Sequence, residues 1–266
     1  MAGALGQMLN APLIYVLAQV AFTRVPKMAS FWEDYHQAVF GAYPEGSVQH
    51  IREIQLGDAP DPSVSDVTKW HMVNRDKTEG IILGADSLIF HSTSYQTSAI
   101  FFDALQEVLS SLGKILPDNI EVNRLGLRYI DLLLPSVDLS ADEQVSGKLG
   151  SIPLDEVGCA FRKLEEVTRY ITPEGGDLIV RHRQSTEKDI LPGDLFPNNL
   201  KIPQRLKQEA PKDAVVGLLD FDHYVQMNVG FQADEIIDKL RQMHATSSKA
   251  FDLTTTPQAK QLWNGE

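Results

Sequence analysis

The sequence predicts an α+β fold in which an antiparallel sheet, or two abutting sheets, carries long helices on one face. Three observations lead there. Short apolar runs bounded by turn residues read as strands, longer segments repeat their apolar residues at helical spacing, and the order of elements recurs in the two halves. With 266 residues, 43% of them hydrophobic, the chain buries about three quarters of the surface its unfolded form exposes. A core of that size needs no disulfide or metal to hold it.

The first strand is the apolar run Pro12–Phe22, rich in Val, Leu, Ile and Tyr, and Pro26 ends it. Ser30 is placed to cap a short helix, with Phe31, Trp32, Tyr35, Val39 and Phe40 near helical spacing. Strands follow at Val48–Leu56, Lys69–Arg75, Glu79–Leu83 and Ser87–Ser92, separated by turn-forming stretches such as Asp58–Pro62 and Gly84–Asp86. From Thr97 to Leu112 the period changes to 3.6, with Ile100, Phe101, Ala104, Leu105, Val108, Leu109 and Leu112 on one face and Gly113 at the stop. Beyond Pro117 the pattern predicts a strand at Glu121–Leu134 and a polar connection at Pro135–Gly150. Strands at Phe161–Ile171 and Asp177–Arg183 then flank the turn Thr172–Gly176. A last strand covers Val215–Val229, and a helix runs from Ala233 to about His244.

The order strand, helix, three or four strands, helix thus occurs twice, which predicts a tandem duplication with halves 1–118 and 119–266. The element order alone is broadly similar to the saddle of the TATA-binding protein and to lipid-binding helix-grip folds. One continuous sheet and two subdomains with a seam near Pro135–Gly150 both fit. The segment Ser185–Asp213 carries Pro192, Pro197, Pro203 and Pro211 without periodicity, so a functional or poorly ordered loop is expected.

Charge and cysteine usage exclude whole function classes. The 24 basic and 36 acidic residues give a net charge of -12, and each half carries half of it, so the surface repels phosphate backbones. Nucleic acid is therefore an unfavoured partner, and the only local basic patch is Lys201, Arg205, Lys207 and Lys212. Cys159 is the sole cysteine, which rules out an internal disulfide or a thiolate metal cluster and suits a cytoplasmic setting. Met1 to Ala11 lacks a basic region or a long apolar core, and no segment approaches about 18 apolar residues, so neither export nor a membrane anchor is expected.

Asn10-Ala11-Pro12-Leu13-Ile14, then Arg124-Leu125-Gly126-Leu127-Arg128-Tyr129-Ile130, and finally Leu219-Asp220-Phe221-Asp222 form a recognisable set. On these motifs the chain resembles a sporadically distributed family of uncharacterised bacterial proteins of similar length, with the central R-x-G-L-R-Y motif its most specific part. The resemblance spans nearly the whole chain, including an ending in which His244 precedes Ala250-Phe251, a Thr-rich turn and Trp263. It implies a bacterial intracellular protein and carries no catalytic residues.

On a strand Arg124, Gly126 and Arg128 share a face, and two guanidinium groups flanking bare backbone suit a carboxylate or phosphate ligand. The alternative is internal pairing with acids such as Asp131, Asp220 or Asp222, and that alternative is preferred because charges on central strands are usually paired. Asp220, Asp222 and His223 carry metal-ligating groups but lack a further ligand in any nearby motif, so no metal and no cofactor are expected. His244 is assigned to a helix C-terminus, and Arg181 and Arg183 to one solvated strand face. No GxSxG elbow, GxGxxG loop or GxxxxGK[ST] loop occurs. The favoured function is a protein-binding or scaffold module without catalysis, recognising a protein partner or itself in a homodimer. The alternatives are an enzyme or sensor holding a small anion through Arg124 and Arg128, and a nucleic-acid-associated defence or mobile-element accessory protein.

Overall fold

The computed structural model describes residues 10–55, 63–146, 160–186, 191–193, 199–201 and 214–265. Its elements run β1 (Leu13–Phe22), α1 (Met28–Val39), β2 (Glu45–Gln55), β3 (Ser63–Val73), β4 (Glu79–Leu83), β5 (Ser87–Ser92), α2 (Ser98–Gly113), β6 (Glu121–Leu133), β7 (Lys163–Ile171), β8 (Asp177–Ser185), β9 (Val216–Gly230), α3 (Ala233–Thr254) and α4 (Pro257–Asn264). All nine strands join one antiparallel sheet in the order β2-β3-β4-β5-β1-β6-β9-β8-β7. The first half's strands and the second half's strands therefore meet at a single seam, the pairing of β1 with β6. That seam lies in mid-sheet, where Val16 faces Tyr129 and Val20 faces Leu125.

Turn chemistry sets the hairpins. Asn74 accepts hydrogen bonds from the backbone of Thr78 and Glu79, holding the β3–β4 turn around Lys77 at φ 58°. Thr97 caps α2 by accepting from the Ile100 N–H at 3.2 Å. Thr256 caps α4, Pro257 opens it, and Gly265 closes it at φ 79°.

Strand alternation then divides the side chains between two faces. Val16, Ala18 and Val20 of β1, Leu125, Leu127 and Tyr129 of β6, and Leu219 and Phe221 of β9 enter the main apolar core. That core also contains Met28 and Tyr35 of α1, Phe102, Leu105 and Leu109 of α2, and Ile236, Leu240 and Met243 of α3. We call this side of the sheet the core face. Each such side chain contributes about 1.5–3 kcal/mol by leaving water, so this cluster supplies the main stabilising term. The opposite, outer face carries a smaller cluster of Tyr15, Ile130, Leu132, Val73 and Leu218, on which Leu200 and Leu191 pack. A backbone bond from Lys201 N to Lys77 O and a side-chain bond from the Thr93 hydroxyl to Lys201 O tie residues 199–201 to the β3–β4 turn and the end of β5.

Several sequence expectations change here. Ser30 is not the cap of α1: the helix starts at Met28, and the Ser30 hydroxyl donates to Lys27 O inside the first turn. Phe40 and Ile100, both assigned to apolar helix faces, are about half exposed. The last helix reaches Thr254 instead of stopping near His244, because Ser247 and Phe251 keep its inner face in the core through a polar stretch. His244 is consequently a mid-helix residue whose Nδ1 lies 2.9 Å from the Tyr129 hydroxyl, not a dipole-stabilised terminal cation. The expected turn Asp58–Pro62, residue Cys159 and residues 187–190, 194–198 and 202–213 of the Pro-rich loop lie outside the described residues. No described helix is long and apolar enough to cross a membrane.

The β7–β8 turn contains the tightest backbone approach of the fold. A Cβ on Gly176 would stand 2.0 Å from the Tyr224 carbonyl oxygen and 2.5 Å from Val225 Cγ1, whereas one on Gly175 would meet open space but at φ 81°. Gly176→Ala must move backbone and is expected to cost about 3 kcal/mol or more; Gly175→Ala meets only left-handed strain of about 1–2 kcal/mol. Urea denaturation of the two variants checks the ranking.

Candidate functional site

The central motif folds onto the outer face, where β1, β6, β9 and β8 lie side by side. Arg128 stands opposite Asp222 of β9, Ile130 opposite Asp220, and Arg181 of β8 opposite Asp220. Arg128 grips Asp220 with both ends of its fork, Nε to Oδ1 at 2.8 Å and Nη2 to Oδ2 at 2.7 Å. Arg181 spans both acids, Nη1 to Asp220 Oδ2 and Nη2 to Asp222 Oδ2, each at 3.2 Å. Asp220 is fully buried and Arg128 nearly so. A buried carboxylate stays charged only when paired and hydrogen-bonded, and two guanidinium groups against two carboxylates meet that demand from within the chain.

Arg124 behaves differently. Its Nη1 donates to Gln19 Oε1, and its guanidinium carbon lies 4.8 Å from the Tyr224 ring centroid. A Cβ on Gly126 would meet Arg124 Nη1 at 3.2 Å. The glycine between the two arginines therefore makes room for Arg124's own guanidinium, and the patch read as bare backbone carries that group instead. Arg183, on the same face, reaches Glu165 of β7 at 3.3 Å.

Of the five residues grouped by sequence, Arg124, Arg128, Asp220 and Asp222 share this face and His223 does not. Following Asp222 on the strand, His223 points into the core and is fully buried. Its Nε2 accepts from the Thr172 hydroxyl at 3.0 Å, and its Nδ1 donates to Met243 O at 3.2 Å, with Ser247 Oγ at 3.3 Å. Glu174 joins the same contact: its backbone carbonyl accepts from Lys239 Nζ at 2.9 Å and its Oε1 from the Thr246 hydroxyl at 2.6 Å. The imidazole thus fastens the β7–β8 turn to α3. Among the described residues no group of three or more His, Cys, Asp and Glu is arranged to hold a metal. Of the basic patch, Lys201 is exposed at the β3–β4 turn, while Arg205, Lys207 and Lys212 lie outside the described residues.

Two buried polar groupings were invisible to spacing. On the outer face His91 Nδ1 meets the Tyr15 hydroxyl at 2.9 Å and His71 Nε2 donates to Gln49 Oε1 at 3.0 Å, while His91 Nε2 and His71 Nδ1 have no hydrogen-bond partner among the described residues. These contacts join β1 to β5 and β2 to β3, strands whose pairing no local motif reveals. On the core face, Tyr95, Tyr129, Ser247 and Ser248 border a cavity of about 20 Å³. It is large enough for a single water and too small for a substrate.

The exposed surface draws attention to β7. This strand forms one edge of the sheet, and seven of its nine residues are exposed. Val167 is 66%, Tyr170 53% and Ile171 90% accessible, so apolar groups stand open on both faces of a strand whose outer backbone groups have no neighbouring strand among the described residues.

The ion-pair geometry makes two arginines unequal. Arg128→Ala removes the bidentate partner of the buried Asp220 carboxylate, leaves it only the single contact of Arg181, and is expected to cost about 3 kcal/mol, whereas Arg128→Met with Asp220→Leu recovers most of it. Arg124→Ala removes a half-exposed contact worth about 1 kcal/mol or less. Chemical denaturation of the three variants checks these values.

Acid stability follows from the histidines. Burial, with the His71 charge adding, pushes His91 down to about 3, and burial also lowers His71, His182, His223 and His244. The folded state therefore binds fewer protons than the unfolded chain between the ordinary histidine value near 6.5 and about 3. The stability that His91 contributes is whole above pH of about 6.5 and is lost on acidification, at about 1.4 kcal/mol per pH unit. Urea midpoints measured down the acid limb should fall accordingly, and His91→Gln should flatten that limb.

Compared with known proteins, the chain matches no family model and no curated protein.

Proposed function

We propose that the chain is a protein-binding module without catalysis, and that its docking element is the outer edge of β7, the last strand of the sheet among the described residues. The observation that carries this is the exposure of Val167, Tyr170 and Ile171 on an edge strand nine residues long. Monomeric proteins ordinarily shorten, cover or guard such an edge, and an extended polypeptide can add to it through main-chain bonds while alternate side chains select the partner.

The two-half architecture belongs to the same proposal. The strand order reads outward from the seam as β1-β5-β4-β3-β2 on one side and β6-β9-β8-β7 on the other, so the first and last strands of each half sit next to each other. This supports a tandem duplication with halves 1–118 and 119–266, its helices α1, α2 and α3 on a single face. Membership of the bacterial family sharing the R-x-G-L-R-Y motif, and a cytoplasmic location, are part of this reading. The rival, a small anion held between Arg124 and Arg128, has against it that Arg128 is committed to Asp220 and that Arg124 fills the space over Gly126.

A photo-crosslinking residue at Val167, introduced in the cells that make the protein, is expected to trap a polypeptide. The same residue at Val48 on the opposite edge should trap none. Absence of any polypeptide at Val167 overturns the proposal.

A further inference from the structure

We infer that the polypeptide docking on β7 is β7 of a second copy, paired antiparallel about a two-fold axis beside Val167 and normal to the sheet. The inference rests on reading β7 as the docking edge and adds the partner's identity. Residues directly opposite each other in an antiparallel pair send their side chains to the same face. A two-fold normal to the sheet can therefore pass beside a residue but not between two, because the second case would set side chains of opposite faces against each other. Only a few central registers remain, and the sequence of β7 distinguishes them.

Centred on Val167, the register pairs Glu165 with Arg169 twice, once on each side of the axis, on the outer face. Val167 meets Val167 at the axis on that same face, and Ile171 lies against the stem of Lys163. On the other face Leu164 meets Tyr170 and Glu166 meets Thr168, again twice. No like charges oppose each other. Shifting the centre to Glu166 sets Glu166 against itself and Lys163 against Arg169; shifting it to Thr168 sets Glu165 against Ile171 and Glu166 against Tyr170. The strand is thus self-complementary in one register and mismatched in its neighbours. Its charges, which would otherwise guard an edge, select that register.

The side chains needed are accessible. Glu165 is 48% exposed, and its contacts to Lys163 at 3.0 Å and Arg183 at 3.3 Å both use Oε1, which leaves Oε2 for the partner. Val167 and Ile171 lose their exposure in the pair, and the nine strands described in each chain would join into one sheet of eighteen. An isologous contact of this kind closes on itself and stops at two copies.

The test is sedimentation equilibrium of the full chain and of two charge variants, with circular dichroism to confirm that each monomer folds. The wild-type chain is expected to form a dimer. Arg169→Glu sets carboxylate against carboxylate at both charge pairs, and Glu165→Arg sets guanidinium against guanidinium there; each alone should weaken self-association by roughly tenfold or more. An equimolar mixture of the two variants should dimerise again, since every charge then faces its opposite. A wild-type chain that stays monomeric, a mixture that does not recover, or association beyond two copies overturns the inference. A photo-crosslink from Val167 to a different protein also overturns it while leaving β7 as a docking edge, and a crosslink to nothing removes both.

Discussion

Strand β6 constrains everything else in this molecule. It is bonded to β1 on one side and to β9 on the other along nearly its whole length, so its own alternation fixes what both faces of the sheet contain at their centre. Leu125, Leu127 and Tyr129 must enter the apolar core, and Arg124, Gly126 and Arg128 must stand on the other side. A slip of one residue would drive two guanidinium groups into the contacts of α2 and α3. The register is therefore held by the penalty for burying unpaired charge as much as by the gain from burying leucine.

The outer face answers that constraint with internal neutrality. Arg128, Asp220, Arg181 and Asp222 come from three adjacent strands and balance one another in charge, while Arg124 beside them is held by Gln19 and the Tyr224 ring. Such a network adds little net stability compared with an apolar replacement, but it is intolerant of losing one member. The histidines follow the same logic in neutral form. His223 fastens a turn to a helix and His91 bonds Tyr15 across the sheet, and burial keeps both imidazoles uncharged. Polar groups in this protein mainly join elements to one another, which directs attention to the edges for contacts with other molecules.

Much of the fold could be read from the residues. β4 and β5 match their predicted limits because apolar alternation ended at Gly84 and Asp86, and α2 matches to within a residue because Thr97 caps a clean apolar face. The end of α3 was missed because Thr246, Ser247, Ser248 and Thr254 are poor helix formers, and only contacts through Ser247 and Phe251 with the core override that preference. The site was legible as a set of candidates and illegible as a geometry. Asp220 was among the acids proposed for Arg128, yet the two are 92 positions apart, and the choice depends on the β6–β9 register. Arg181 gave no sign of joining them, since β8 enters beside β9 only through the sheet order. His71 and His91 looked solitary for the same reason.

The described residues form nine strands, an odd number, and in a sheet whose neighbours all alternate in direction this makes the two border strands run the same way. Sliding one copy alongside another without rotation would set β7 beside β2 in a co-directional ladder, at odds with every other junction in the sheet. Keeping alternation there would require turning the second copy over, which moves its core face to the far side. Continued alternation with both copies facing alike is available only between like borders, β7 with β7 or β2 with β2, so a longer ribbon would need both kinds of junction in turn.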